Sequence, residues 1–375
     1  MDHLAPVYSQ YPLDIIGGEG VYLTTKDGRR ILDLYGGHAV AALGYGHPRW
    51  LAVLEAQAKS LVFQSNAVAV DVRHRAAKRL AEFCGLGLDT VFFVNSGAEA
   101  NENALKIACK LTGRRKIVAV EGSFHGRTAA AGAVTWGAQK KWYGFPQAPF
   151  DAVFIPGTVE AASGISDDTA GIIVEPVQGV AGALDLPQEF LQALRKRATE
   201  IGAVLIFDEV QSGVGRTGYP FAANMVGVTP DIITTAKALG AGFPVSAILL
   251  AASVASELKT DDLGTTFGGG PMACALVEAV VDIIESEKLM DNVRARSEQI
   301  RQRCIIGPVT GAQGAGLLLG LRTSRPAKDV QAELLRHDIF LGGSADPNVM
   351  RILAPYTLGG EHVKQLRDAL LRIGG

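Results

Sequence analysis

Short apolar runs and stretches of helical periodicity alternate along the central part of the chain. The apolar runs predict buried strands at residues 91–95, 116–121, 171–175, 203–208 and 231–234. Residues 99–111 carry a helical pattern that Gly113 ends, and a second one runs through Phe190, Leu191, Leu194, Ala198 and Ile201. Strands separated by helices predict an α/β fold with a mainly parallel sheet covered by helices on both faces.

The pattern changes after residues 265–271, which read TTFGGGP. Beyond them the spacing predicts two long amphipathic helices, a strand and two further helices, at residues 273–288, 290–304, 317–321, 328–337 and 361–373. We therefore predict a large domain over residues 51–270 and a smaller α+β domain over residues 271–375. Residues 1–50 are predicted to join the small domain. An alternative is that they cross a subunit contact, and the sequence alone leaves both open.

The composition fits a large globular enzyme and argues against several other classes. With 375 residues, 48% of them apolar, and 44 glycines, the chain can bury a substantial core and form many tight turns. Lys and Arg number 36 and Asp and Glu number 38, so the net charge of −2 attracts neither nucleic acid nor an anionic membrane. The cysteines form no C-x-x-C pair, which argues against a disulfide framework and a zinc site.

Targeting and membrane segments are not predicted. The first residues contain no basic stretch followed by an apolar one, and the sequence contains no run of about 18 apolar residues. We therefore expect a cytoplasmic protein without a membrane span.

Three short motifs are candidates for ligand chemistry, and the first is NSGAE at residues 95–99. It lies between a predicted strand and a predicted helix. Ser96, Gly97 and Ala98 would present free backbone N–H groups at the positive end of that helix, where a phosphate binds well. The alternative is that Ser96 is an ordinary helix N-cap.

The second motif is DEVQ at residues 208–211, which ends a predicted strand that is otherwise apolar. Ligand crevices of open α/β sheets lie at such strand ends. The carboxylate of Asp208 is costly there unless a cation pairs with it, and the protonated nitrogen of a pyridine ring is such a cation. The alternative is an aspartate that caps the next turn.

The third motif places Lys237 after the predicted strand at residues 231–234, among small and apolar residues. Desolvation lowers the proton affinity of a lysine in such a place, and the free amine can then attack an aldehyde. The alternative is a surface lysine whose charged end reaches water.

A dinucleotide site is the competing interpretation. Residues 213–218 satisfy the pattern G-x-G-x-x-G, and Asp231 follows at a suitable distance. The pattern is meaningful only when a strand runs directly into the glycines and a helix leaves from them. Here DEVQS precedes the glycines and Tyr219-Pro220 follows them, so a dinucleotide-dependent oxidoreductase is disfavoured. The convergence of three motifs also disfavours a non-enzymatic scaffold.

Longer motifs occur in an order that resembles one enzyme family. They are PLDIIGGEGVYL, LGYGHP, NSGAEANENALK, FHGRT, EPVQG, FDEVQSGVGRTG, TPDIITTAKALGAGFP, TTFGG and RILAP. Together they resemble the class III (ornithine-type) aminotransferases that depend on pyridoxal 5′-phosphate (PLP), and within that family the acetylornithine aminotransferases. The resemblance implies the type I PLP-dependent transferase fold, with a large domain, a smaller α+β domain and a homodimeric assembly.

The resemblance also implies roles in binding the cofactor. Lys237 would hold PLP covalently and move a proton during amino transfer, and Asp208 would pair with the pyridine nitrogen. Gln211 would lie near the ring hydroxyl, and Phe124 would stack on the ring. The phosphate would be bound by Ser96, Gly97 and Ala98, and by Thr266 of the partner subunit.

For the substrate, the resemblance implies that Arg127 binds a carboxylate through its planar guanidinium. Glu175 would neighbour Asp208, and Arg351 would bind a second carboxylate. The implied reaction is ping-pong transfer from N-acetylornithine to 2-oxoglutarate. Other donors left open are N-succinylornithine, ornithine, 4-aminobutyrate, carrier-linked lysine and an α-amino acid.

Three positions depart from the family pattern. The family usually has a glutamate at Val180, an asparagine at Gly270, and an isoleucine or a tyrosine at His38. The family glutamate pairs with the arginine that matches Arg351 while a terminal amine reacts. Val180 cannot form that pair, so we expect Arg351 to be available to dicarboxylates, and glutamate to be a good donor, unless another acid masks the guanidinium.

Overall fold

The computed structural model describes residues 3–374. Its strands are β1 (Ile15–Glu19), β2 (Tyr22–Thr25), β3 (Arg30–Asp33), β4 (Thr90–Val94), β5 (Lys116–Val120), β6 (Asp151–Ile155), β7 (Thr169–Val174), β8 (Val177–Gln178), β9 (Leu184–Asp185), β10 (Val204–Asp208), β11 (Ile232–Thr235), β12 (Ser246–Leu250), β13 (Val309–Ala315), β14 (Leu318–Thr323), β15 (Ile339–Phe340) and β16 (Val349–Ile352). Its helices are α1 (Gly36–Ala39), α2 (Pro48–Ser60), α3 (Asp71–Cys84), α4 (Gly97–Thr112), α5 (Ala129–Ala133), α6 (Ala138–Lys141), α7 (Val159–Ser163), α8 (Gln188–Ile201), α9 (Ala222–Val226), α10 (Ala252–Ala255), α11 (Pro271–Ser286), α12 (Leu289–Arg303), α13 (Ala327–Arg336) and α14 (Gly360–Ile373), with a 3₁₀ turn at Lys237–Leu239.

A seven-stranded sheet with the order β4-β12-β11-β10-β7-β5-β6 forms the centre of the fold. Parallel pairings join β6, β5, β7, β10 and β11. β12 runs antiparallel to both of its neighbours, β11 and β4. The predicted α/β fold with a mainly parallel sheet is therefore confirmed.

Helices cover both faces of this sheet. Every residue of β7, β10, β11 and β12 is buried, as expected for strands packed between two helical layers. Alternate residues of β10 belong to different apolar clusters: Leu205 and Phe207 pack with α8, whereas Val204 and Ile206 pack with α4. Because alternate side chains of a strand point to opposite faces, α8 and α4 lie on opposite sides of the sheet.

Two smaller sheets lie outside the central one. β13, β14 and β16 form an antiparallel sheet from the last quarter of the chain. The N-terminal strands β1, β2 and β3 form a second sheet, to which the C-terminal strand β15 is added in parallel with β3. The two ends of the chain therefore share a sheet.

Within residues 3–374, no helix combines the length and the apolar character that crossing a bilayer requires.

Candidate active site

The carboxyl ends of β4, β5, β7, β10 and β11 lie at one edge of the central sheet. A cavity of about 490 Å³ opens at this edge, a size typical of small-molecule sites. Of the residues singled out in the sequence, those that line it are Ser96, Gly97, Ala98, Phe124, Arg127, Glu175, Val180, Asp208, Gln211 and Lys237.

Lys237 lies just beyond the end of β11 and lines the cavity. Its backbone is left-handed, with a φ of 48°, which costs free energy for any residue with a Cβ. Although one part of the side chain is accessible from the cavity, desolvation by the surrounding protein lowers the pKa of the ammonium group. The carboxylates of Asp208 and Glu175 oppose this shift, and the cations of Arg351 and Arg216 add to it. A lysine with reduced proton affinity can act as a nucleophile.

Asp208 ends β10, and its carboxylate is held by two side chains. Asn101 donates from Nδ2 to Oδ2 of Asp208 over 2.7 Å, and Nδ1 of His125 lies 2.7 Å from the same oxygen. Thr234 fixes Asn101 in turn, because its hydroxyl donates to Oδ1 of Asn101 over 2.7 Å. The backbone N–H of Val210 donates to the other carboxylate oxygen over 3.0 Å. All these contacts orient one carboxylate at the edge of the cavity.

Asn101 and His125 were not singled out in the sequence. Both lie inside motifs that were quoted there, NSGAEANENALK and FHGRT, but each contacts a residue that is 107 or 83 positions away. Asn101 lies in the helix predicted at residues 99–111, where its polar side chain was the available indication, since buried polar groups need hydrogen-bond partners. No local pattern indicated a role for His125.

Glu175 follows β7 and is almost fully buried. Its carboxylate accepts the backbone N–H of Phe124 over 2.8 Å and that of Gly179 over 3.2 Å. Burial and the nearby charge of Asp208 raise the pKa of Glu175 to about 7. The protonated form of this residue is therefore favoured relative to an exposed glutamate.

The N-terminus of α4 forms one wall of the cavity. Ser96 caps the helix, with its Oγ accepting the N–H of Glu99 over 3.2 Å, so the N-cap interpretation is correct for its side chain. Within the described chain, the backbone N–H groups of Gly97 and Ala98 have no hydrogen-bond acceptor. Such first-turn N–H groups at the positive end of a helix are suited to an anion.

Gln211 lines the cavity beside Asp208 and carries an unused acceptor. Its Oε1 is buried and has no hydrogen-bond partner in the described chain. A Cβ on Gly179 would lie 1.9 Å from this oxygen, so in the observed rotamer the glutamine end packs directly against the backbone of a glycine. A buried carbonyl oxygen without a donor is costly unless a ligand supplies one.

Arg127 differs from the other charged residues in being exposed. Its guanidinium carbon lies 4.4 Å from the centre of the Trp142 ring, a cation–π arrangement that leaves the N–H groups at the rim of the guanidinium free to bind a ligand.

Thr266 and Arg351 do not line this cavity. Thr266 is exposed, next to the exposed ring of Phe267. Arg351 is 5% exposed, and its guanidinium donates to the carbonyl oxygens of Gly343 and Gly179 over 2.6 and 3.0 Å. Within residues 3–374, no acid forms an ion pair with it.

Comparison with known proteins gives a consistent result. The sequence model of the family described as aminotransferase class-III matches residues 4–373. The acetylornithine aminotransferase of Streptomyces coelicolor is 40% identical over 370 residues, which cover 97% of this chain and 91% of that protein. The [LysW]-aminoadipate semialdehyde/glutamate semialdehyde transaminase of Sulfurisphaera tokodaii is 33% identical over 374 residues, covering 97% and 95%.

Solved structures agree with the sequence matches. The ornithine aminotransferase of Toxoplasma gondii ME49 superposes with a TM-score of 0.91 at 28% identity, covering 99% of this chain and 93% of that one. The acetylornithine aminotransferase of Elizabethkingia anophelis gives a TM-score of 0.87 at 27% identity, covering 99% and 96%. The family resemblance seen in the motifs is thus confirmed, and with it the PLP-dependent fold. This chain belongs to the class-III aminotransferases, which are PLP-dependent transaminases.

Proposed function

We propose that this enzyme moves an amino group from N-acetylornithine, or a closely related amine, to 2-oxoglutarate by a ping-pong mechanism. The observation that carries the proposal is the cavity in which Lys237, Asp208 and the N-terminus of α4 meet. Relatives named for acetylornithine reach 40% identity, which makes this donor the first choice.

The residues around the cavity fit PLP. The free N–H groups of Gly97 and Ala98 suit the phosphate, the carboxylate of Asp208 suits the pyridine nitrogen, and the unused oxygen of Gln211 suits the ring hydroxyl. When bound, PLP acts as an electron sink that stabilises negative charge on the substrate carbon. Phe124 is half-buried in the cavity wall, where its flat face suits stacking on the ring.

The charged residues of the cavity have different roles in the proposed reaction. Lys237 would hold the cofactor through its Nζ until the substrate amine takes its place. Its amine, whose proton affinity is lowered, would then move a proton from the substrate carbon to the product. Asp208 is kept in position by Asn101 and His125. Arg127 binds a substrate carboxylate through its exposed guanidinium.

A second candidate donor has its own support. The relative from Sulfurisphaera tokodaii, 33% identical, is named for a semialdehyde linked to the carrier LysW. A carrier-linked lysine is therefore the alternative donor for this chain.

The proposal includes a homodimer and two domains. An exposed apolar surface formed by Val62, Phe63 and Phe267 adjoins Thr266, where Phe267 is 66% exposed and Val62 57% exposed. A second copy that covers this surface would bring Thr266 to the phosphate of the partner's cofactor. The sheet shared by β3 and β15 supports the assignment of residues 1–50 to the small domain with residues 271–375.

A panel of amines tests the donor. Each amine is mixed with excess holoenzyme, and conversion of the cofactor from its pyridoxal to its pyridoxamine form is followed by absorbance. We expect the fastest conversion with N-acetylornithine and efficient conversion with glutamate, each reversed by 2-oxoglutarate. If carrier-linked lysine is the only amine that converts the cofactor, it is the donor in place of N-acetylornithine. If no amine converts the cofactor, the proposed function is contradicted.

A further inference from the structure

The guanidinium of Arg351 is buried among neutral partners. Besides the carbonyls of Gly343 and Gly179, it donates from Nη2 to the hydroxyl of Tyr35 over 3.4 Å, the longest of its three hydrogen bonds. Its Cζ lies 5.8 Å from the centre of the Tyr35 ring. A buried cation without an acid keeps its full charge and gains when an anion reaches it.

At position 180 this chain has a valine where the family usually has a glutamate, so this position supplies no acid to pair with Arg351. The carbonyl of Gly179, immediately before Val180, takes one guanidinium N–H, and the carbonyl of Val180 accepts the N–H of Ala345 over 2.8 Å. This backbone is therefore fixed beside Arg351, while the side chain of Val180 lines the cavity and offers no charge.

Tyr35 is itself held by a histidine. Its hydroxyl lies 2.6 Å from Nδ1 of His38. The tyrosine oxygen can accept from Arg351 while its own proton is donated to Nδ1, and in that arrangement the proton of the neutral imidazole is assigned to Nε2. Desolvation and the cations of Arg351 and Lys237 lower the pKa of His38 although the residue keeps an exposed part, which favours this neutral form.

An unusual turn brings these two rings together. In α1 the φ angles of Gly36, Gly37, His38 and Ala39 are 54°, 56°, 65° and 69°, so the turn is left-handed. Residues with a Cβ adopt this conformation only at a cost in free energy, and such strain is typical of functional sites.

The surrounding structure holds the strained turn in place. The carboxylate of Asp33 accepts the N–H groups of Tyr35 and Gly36 over 2.8 and 2.9 Å. Arg216 donates to the carbonyl of Ala39 over 3.2 Å. In this turn the imidazole of His38 lies beside the Tyr35 ring, with centroids 4.7 Å apart.

We propose that Tyr35 and His38 are positioning residues that keep Arg351 ready for the second carboxylate of a dicarboxylate such as glutamate or 2-oxoglutarate. His38 accepts the hydroxyl proton of Tyr35, so the tyrosine oxygen faces Arg351 and fixes the guanidinium without neutralising it. This inference deepens the proposed function and rests on its dicarboxylate half-reaction.

Equilibrium binding to the holoenzyme tests the inference without turnover. Glutarate carries two carboxylates and butyrate carries one, so the ratio of their dissociation constants measures the contribution of the second carboxylate. We expect wild type to bind glutarate at least tenfold more tightly than butyrate. In Tyr35→Phe this ratio should fall about tenfold, the size expected for a hydrogen bond to a charged group. The glutamate half-reaction should slow by a similar factor, and the N-acetylornithine half-reaction by less than twofold.

Three further variants separate positioning from structure. His38→Ala removes the acceptor and should reduce the glutarate preference, whereas His38→Asn keeps an acceptor at the place of Nδ1, tolerates a positive φ and should restore it. Tyr22→Phe is the matched control, because it removes a tyrosine hydroxyl that binds Gln365 far along the chain and does not line the cavity. His38→Ala also serves as the test if Tyr35→Phe does not fold.

The outcomes are distinct. An unchanged glutarate preference in Tyr35→Phe and His38→Ala overturns the inference, as does an equal loss of both ligands. If no amine converts the wild-type cofactor, the proposed function fails, while the ratio of glutarate to butyrate binding still decides the role of Tyr35 and His38.

Discussion

Arg127 and Arg351 differ in their exposure to solvent and in the groups that they contact. Arg127 is exposed and stacks on Trp142, whereas Arg351 is buried and held by carbonyl oxygens and Tyr35. The first can meet a substrate from solution, and the second offers a fixed charge at low dielectric. Such a pair fits substrates that carry one or two carboxylates.

Arg127→Lys should raise the KM of both the amino donor and 2-oxoglutarate by about tenfold, because a lysine cannot make two parallel hydrogen bonds to a carboxylate. Steady-state kinetics with each substrate varied in turn measures this effect. Arg115→Lys is the matched control, since Arg115 is exposed and does not line the cavity. Unchanged KM values in Arg127→Lys would refute a carboxylate-binding role.

At the residue scale, the sequence predicted the members of the site that follow strands. Lys237 and Asp208 stand at strand ends, where a local motif and the α/β rule suffice to find them. His125 and Tyr35 were missed, because their importance comes from contacts that only the folded chain creates, with Asp208 and with Arg351. For Arg351, the sequence predicted that Val180 supplies no acid, but it did not predict the backbone carbonyls that hold the guanidinium.

At the scale of elements, the junction of β4, α4 and the segment after β10 decides the geometry of the cavity. A Cβ built on Gly97 would lie 2.7 Å from Cγ1 of Val210. The start of α4 can therefore approach the end of β10 only because residue 97 is glycine. The hydroxyl of Ser246, at the start of β12, adds a hydrogen bond of 2.8 Å to the carbonyl of Ser96.

Gly97→Ala should weaken PLP binding about tenfold, because the new methyl group pushes the helix start away from Val210 and displaces the N–H groups that we propose as the phosphate site. Titration of the apoenzyme with PLP measures the affinity. The double variant Gly97→Ala/Val210→Ala should recover most of it, with Val210→Ala alone as the control. A wild-type affinity in Gly97→Ala would show that this close approach is unimportant.

Elements of strong periodicity were predicted well, and others were not. α4, α8 and β10 were found within a few residues of their observed bounds. β12 was not predicted, because its apolar run continues into the small residues of α10 without a turn residue between them. β6 was missed because it is an edge strand, half exposed, with a weak apolar pattern.

For the whole molecule, the sequence left the role of the N-terminal residues open. The pairing of β3 with β15 depends on contacts across most of the chain, which no local pattern reports. The exposed apolar surface at Val62, Phe63 and Phe267 is likewise formed by residues far apart in sequence, with the two phenylalanine rings 5.2 Å apart.

Phe267→Asp should convert the proposed dimer to a monomer, because a carboxylate would have to be buried in an apolar interface. Sedimentation velocity at micromolar protein measures the change. Activity should fall with it, because the proposed contact of Thr266 with the partner's cofactor would be lost. Leu371→Asp is the control, because it places the same charge on an exposed leucine of α14. A wild-type enzyme that is monomeric and fully active would contradict the dimer.

Chemical trapping identifies the residue that holds the cofactor. The purified holoenzyme is reduced with borohydride, digested and mapped by mass spectrometry, with Lys237→Ala treated in parallel. We predict that the reduced cofactor is found on Lys237, and that Lys237→Ala still binds PLP but has lost turnover and yields no labelled peptide. Recovery of the label on another lysine of the wild-type enzyme, or on none, would contradict the assignment of Lys237.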